Sequence, residues 1–155
     1  MFIDSNGLEI LPTAECRELV QRHEVGRLGF VEGDQVTVLP VTYAVLDGQI
    51  LIRTSTGSKL AAAVAERPGA LEIDEVDTRR HTGWSVLARG QMTVVVDPEE
   101  IARIDEAGLH TWGPVGNHYV RLPLDDLTGR ILRSGPRRTD RPSTEAAHRN
   151  LETMD

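Results

Sequence analysis

Lysine is almost missing from this chain: of its 17 lysines and arginines, only Lys59 is a lysine. Basic residues are outnumbered by 24 aspartates and glutamates, for a formal net charge of -7. That excludes the broadly basic face needed by nucleic acid or an anionic membrane, though not a local basic pocket. Cysteine is as scarce. The single Cys16 excludes an intramolecular disulfide framework and a cysteine-based zinc knuckle. No run approaches the roughly 20 apolar residues of a membrane-spanning helix. The opening MFIDSNGLEIL has no basic region and no long apolar stretch, so the expectation is a cytoplasmic protein without a secretory leader. What remains is ordinary for one globular domain: 155 residues, 39% hydrophobic and 26% charged.

Along the chain the hydrophobic period changes several times. AECRELVQRH reads as a helix capped by Thr13. VGRLGFV alternates Gly26, Leu28 and Phe30 against Val25, Arg27, Gly29 and Val31, which predicts a strand. QVTVLPVTYAVL is a second strand, expected to be interrupted by Pro40. The dipeptide Asp47-Gly48 signals a hairpin into QILIRT. KLAAAVAER predicts a helix stopped by Pro68-Gly69, followed by strands over ALEIDEV and GWSVLARGQMTVVV, the latter bent at Gly90. DPEE opens a further helix, with Asp97 as cap, Pro98 in the first turn and Glu100 reaching back. HYVRLPLDDLTGRIL supplies the last strand or strand pair. A mainly β, antiparallel barrel over residues 1–133 is the expectation, with a polar, mobile tail over 134–155.

The stretch RTSTGSK, Arg53 to Lys59, carries the most chemistry. A strand there feeds a loop that opens a helix near Ser58, where free N–H groups favour an anion. Ser55, Thr56 and Ser58 add hydroxyl donors, Gly57 allows close approach, Arg53 offers a planar fork and Lys59 a point charge. A plain helix start with solvated charges fits the same residues. The loop is no Walker A motif, because GxxxxGK[ST] has no first glycine here. Neither a metal site nor a serine hydrolase is supported. The five histidines form no HExxH pattern, Asp74, Glu75 and Asp77 read as a solvated strand end, and Leu87 breaks GxSxG around Ser85. Aromatics are 4% of the chain, so Trp84 and Trp112 are either core anchors or the walls of a pocket for a flat ligand.

Taken in order, VGRLGFV, VLPVTYAVLDGQILIRTSTGSKLAAA, ALEIDEVD, GWSVLARGQMTVV and WGP…HYVRLPLDDLTGRIL resemble the pyridoxamine 5′-phosphate oxidase-like flavin-binding split-barrel family, in its short actinobacterial form. The resemblance implies a six-stranded antiparallel split β-barrel with short flanking helices. It also implies a homodimer holding a flavin, FMN, in each of two interface clefts. Arg53, Thr54, Ser55, Ser58 and Lys59 would hold the phosphate and ribityl chain. Pro40, Val41, Thr42 and Tyr43 would run along the ring system, largely through backbone atoms. Trp84, Ser85 and Val86 would approach from a neighbouring strand, with Trp112 and His118 reaching in from the partner chain. His118 and Tyr43 are the candidates to act on a substrate. The implied function is an FMN-dependent oxidoreductase for a small molecule. The alternatives are a deazaflavin-dependent reductase, with Arg79 and Arg80 for the coenzyme's acidic tail, and a non-catalytic flavin- or haem-binding protein. Three departures argue against vitamin oxidation: no arginine- and tryptophan-containing segment follows Leu132, Ser85 stands where those enzymes carry glutamine, and the spacing from Thr54 to Lys59 is a residue shorter than theirs.

Overall fold

A computed structural model describes residues 2–109 and 116–134. Trp112 and the segment from 135 onward, including nearly all of the expected tail, lie outside the described residues.

Ten strands form two antiparallel sheets, with three short helices beside them. The larger sheet runs β1 (Glu9–Leu11), β10 (Asp126–Leu132), β7 (Thr82–Gln91), β6 (Pro68–Asp77), β2 (Val25–Glu32) and β3 (Gln35–Thr42). The smaller runs β4 (Ala44–Leu46), β5 (Gln49–Thr54), β9 (His118–Pro123) and β8 (Thr93–Val94). This is the expected mainly β, split-barrel architecture. Its strand count exceeds the expected six: seven longer strands are joined by the short β1, β4 and β8.

Period-2 alternation decides which face is buried. On β2, Leu28 and Phe30 point into the core while Arg27 faces out; Leu71 and Ile73 do the same on β6. Ile50 and Ile52 on β5 meet Val120 and Leu122 on β9 in the same core. Each such side chain, fully withdrawn from water, contributes about 1.5–3 kcal/mol. A smaller cluster lies on the other face of the smaller sheet. There Ile104 of α3 (Pro98–Ala107) packs against Leu51, Val95 and Tyr119.

Asp47 and Gly48 both have positive φ, 51° and 71°, so the β4–β5 hairpin is the two-residue turn that the sequence predicts. Asp97 caps α3 as expected, accepting from the Glu99 N–H at 3.1 Å. Other local expectations need correction. The first helix, α1 (Thr13–Arg22), is preceded by Pro12 as its cap residue, so Thr13 lies inside it. Pro40 does not interrupt its strand: it sits within β3 opposite Arg27, and β3 is an edge strand, where a missing N–H costs no ladder bond. The break falls at Tyr43, whose N–H turns to the Glu24 carbonyl at 2.8 Å. Helix α2 (Ser58–Val64) ends before Pro68-Gly69, which instead open β6. The strand carrying Gly90 runs on to Gln91 and gives way at the fully buried Met92. Glu100 does not reach back to its helix start, since its carboxylate accepts from Arg121 at 2.7 Å.

No helix among the described residues is long and apolar enough to cross a membrane. The outer edge of the larger sheet is apolar: Val36 and Val38 on β3 are 78% and 60% exposed, with Pro40 exposed beside them.

Candidate functional site

The sequence places Arg53, Thr54, Ser55, Ser58 and Lys59 in one turn of chain, and the fold sets that turn at the open end of the smaller sheet. Strand β5 ends at Thr54, residues 55–57 form the loop, and α2 starts at Ser58. No side chain caps α2, and no acid lies in its first turn. At seven residues the helix contributes little beyond its free N–H groups, so the side chains dominate the site. Ser55, Thr56 and Gly57 are exposed, while Ser58 and Lys59 are half-buried. From Arg53 to Ala65 there is no aspartate or glutamate. Among the described residues neither Arg53 nor Lys59 pairs with a carboxylate.

Strand alternation sends Arg53 and Thr54 to opposite faces. Thr54 is 7% exposed, and its hydroxyl donates to the Ser55 carbonyl at 3.1 Å, which fixes the loop's first peptide. Arg53 lies on the outer face. Its Nε donates to the Gly116 carbonyl at 2.7 Å, and its guanidinium carbon lies 5.7 Å from the centre of the Tyr119 ring. Tyr119 in turn donates its hydroxyl to Asp105 on α3. Burial, and then the Asp105 carboxylate, push the Tyr119 hydroxyl above its ordinary range, so it stays protonated. Gly116 is required as glycine: its backbone packs on the Thr54–Ser55 peptide, where a Cβ would collide. His118 stands opposite Thr54 on the β5–β9 ladder, half-buried beside the loop of its own chain.

The other expected residues lie on the larger sheet. Pro40 and Tyr43 border a cleft of about 720 Å3 that also touches His23, Arg27, Asp74 and Leu109. Trp84 and Ser85 border a smaller hollow of about 200 Å3 with Val76, Arg130 and Leu132. Asp74 lines both, so the two hollows adjoin. Asp74 is no bare strand end: Arg27 donates to it at 2.6 Å and to Glu72 at 3.2 Å. Val41 and Val86 point into the core, 7% and 0% exposed, so any part they take in a site is through backbone atoms. Thr42 is half-buried at the end of β3.

Tyr43 needs correction as a candidate to act on a substrate. Its ring is 2% exposed and its hydroxyl donates to the Val20 carbonyl at 2.8 Å. Burial pushes that hydroxyl's pKa well up, which leaves neither a base nor a free donor. Trp84 is half-buried and meets the His23 ring edge-on, with centroids 5.0 Å apart. His23 Nδ1 lies 2.7 Å from the Leu19 carbonyl and must donate there, since a carbonyl only accepts. Arg80 is 3.7 Å from Asp77 at the β6–β7 turn, and so belongs to the other sheet from the Arg53–Lys59 loop. Sequence reasoning missed His23, Asp105, Gly116 and Tyr119. No local pattern marks them, because each contact joins separate elements.

Comparison with known proteins agrees with the architecture. The profile of the family described as pyridoxamine 5′-phosphate oxidase matches residues 12–131. An uncharacterised protein of Mycobacterium tuberculosis is 36% identical over 103 residues, 63% of this chain and 67% of that protein. A Corynebacterium glutamicum crystal structure superposes with a TM-score of 0.69 at 32% identity, covering 83% of this chain and 96% of that one. The FAD-binding protein of Mycobacterium smegmatis gives 0.66 at 30% identity, covering 81% and 98%.

Proposed function

Because the chain belongs to the pyridoxamine 5′-phosphate oxidase family, we propose that it binds a flavin by its phosphate at the Arg53–Lys59 loop and works as an FMN-dependent oxidoreductase on a small molecule. The observation that carries this reading is that Arg53 and Lys59 share one loop with three hydroxyl residues and no acid from Arg53 to Ala65, and neither forms an ion pair among the described residues. That donor set fits a phosphate: a planar fork, a point charge and the hydroxyls of Ser55 and Ser58. A bound flavin would supply the redox chemistry, and the protein the orientation and shielding. The chain's own residues then divide the work. Arg53 and Lys59 neutralise the phosphate, while Thr54 holds the loop's first peptide through its hydroxyl. Pro40 and Tyr43, and Trp84 and Ser85 on β7, border two hollows that share Asp74, the larger lined by charged side chains such as Arg27 as well as by Leu109. His118, beside the loop, is the one candidate left to hold or move a proton at the site.

The FAD-binding relative makes FAD the second candidate, since its FMN portion presents the same phosphate. A homodimer joined across the exposed Val36, Val38 and Pro40 edge completes the proposal, as these side chains need cover that the described chain does not provide. The test is an absorbance titration of the purified protein with FMN, FAD and a deazaflavin coenzyme in turn. Saturable binding of FMN with a shifted flavin spectrum supports the reading. Preference for the deazaflavin replaces the cofactor, and binding of none of the three overturns it.

A further inference from the structure

Arg53 is the side chain on which the phosphate site depends most, and a free arginine is a poor anchor. It has many rotamers, and ordering it costs up to about 2 kcal/mol. In this fold it is not free. One of its five N–H groups is used on the Gly116 carbonyl at 2.7 Å, and its guanidinium carbon lies over the Tyr119 ring, 5.7 Å from the centre. Among the described residues the fork is held at its stem and nothing takes its two terminal nitrogens.

The ring beneath it is itself braced. Tyr119 is 3% exposed and sits in the small cluster with Leu51, Val95 and Ile104, where β5 and β9 meet α3. Its hydroxyl donates to Asp105, an exposed carboxylate on α3. A phenol that donates to a carboxylate gains electron density in its ring, and attraction to a cation over the ring face rises with that density. Next along β9 on the same face, Arg121 donates to Glu100 at 2.7 Å and ties α3 down a second time.

We infer that Tyr119 and Asp105 are positioning residues for the flavin phosphate: they orient Arg53 from behind and touch no ligand. Helix α3 thereby acts on the phosphate site without reaching it. The inference rests on the flavin reading above, and the test separates the two.

Equilibrium binding of FMN and of riboflavin, which is the same flavin without the phosphate, is measured by fluorescence quenching. The proteins are the wild type, Arg53→Ala, Tyr119→Leu, Tyr119→Phe and Asp105→Asn. The wild type should prefer FMN, and Arg53→Ala should abolish most of that preference. Tyr119→Leu should weaken FMN about tenfold, while Tyr119→Phe and Asp105→Asn should weaken it about two- to threefold. Riboflavin affinity should not move in any of them. A merely structural role would lower both affinities together, and that result overturns the inference. So does an unchanged FMN preference in all three Tyr119 and Asp105 variants while Arg53→Ala still abolishes it; the flavin reading then stands. If Arg53→Ala leaves the preference intact, or the wild type binds neither flavin, the reading fails and takes the inference with it.

Discussion

Two arginines on one face of the smaller sheet have opposite fates. Arg121 on β9 donates to Glu100 at 2.7 Å and to the Thr93 hydroxyl at 3.1 Å, so its charge is spent on holding α3. Arg53 on β5 meets only a backbone carbonyl and an aromatic face among the described residues. Both are anchored, but only one is neutralised. The same contrast extends to their surroundings. Near Arg121, α3 brings Glu99 and Glu100 in its first turn, whereas α2 beside Arg53 brings Ser58 and Lys59 and no acid. A protein of net charge -7 has acid to spare for neutralising a cation. Among the described residues neither Arg53 nor Lys59 has an acid partner, and the proposed phosphate site rests on that difference.

The sharpest way to break this contrast is to remove the unneutralised pair. Arg53→Ala combined with Lys59→Ala should weaken FMN about 1,000-fold, from two charge-assisted contacts of about 2 kcal/mol each. Circular dichroism should stay close to wild type, with a small loss in melting temperature from the Arg53 contacts to Gly116 and Tyr119. Gly116→Ala comes next. Its Cβ would collide with the Thr54–Ser55 peptide, and chemical denaturation should show a loss of about 3 kcal/mol. Tyr43→Phe should cost about 1–1.5 kcal/mol by the same measurement, through the lost bond to Val20, with flavin affinity unchanged. An altered affinity there would bring the Tyr43 hydroxyl back into the site. The smallest effect belongs to the neutralised side. Glu100→Gln leaves Arg121 without its part-buried ion pair but keeps an oxygen to accept from it, and should cost about 1 kcal/mol, again without changing flavin affinity.

What the sequence made legible was local. The hairpin at Asp47-Gly48 and the cap at Asp97 follow from backbone conformation and from donors within three residues, and both stand where expected. So does the loop from Arg53 to Lys59, whose strand, turn and helix succeed one another within a few residues. Pro40 was misjudged because its tolerance depends on β3 being an edge strand, and strand order is a property of the whole sheet. Tyr43 was misjudged for a related reason: the break falls at that residue, so the alternation of β3 does not say which way its ring turns. The bracing of Arg53 was invisible. Gly116 lies 63 residues away in sequence and Asp105 on a third element, and nothing in RTSTGSK points to either.

The most direct test of the central claim is a crystal structure of the protein grown with FMN. The flavin phosphate should lie between the Arg53 guanidinium and the Lys59 ammonium, with the Ser55 and Ser58 hydroxyls around it. A phosphate bound elsewhere, with Arg53 and Lys59 still facing solvent, would contradict it.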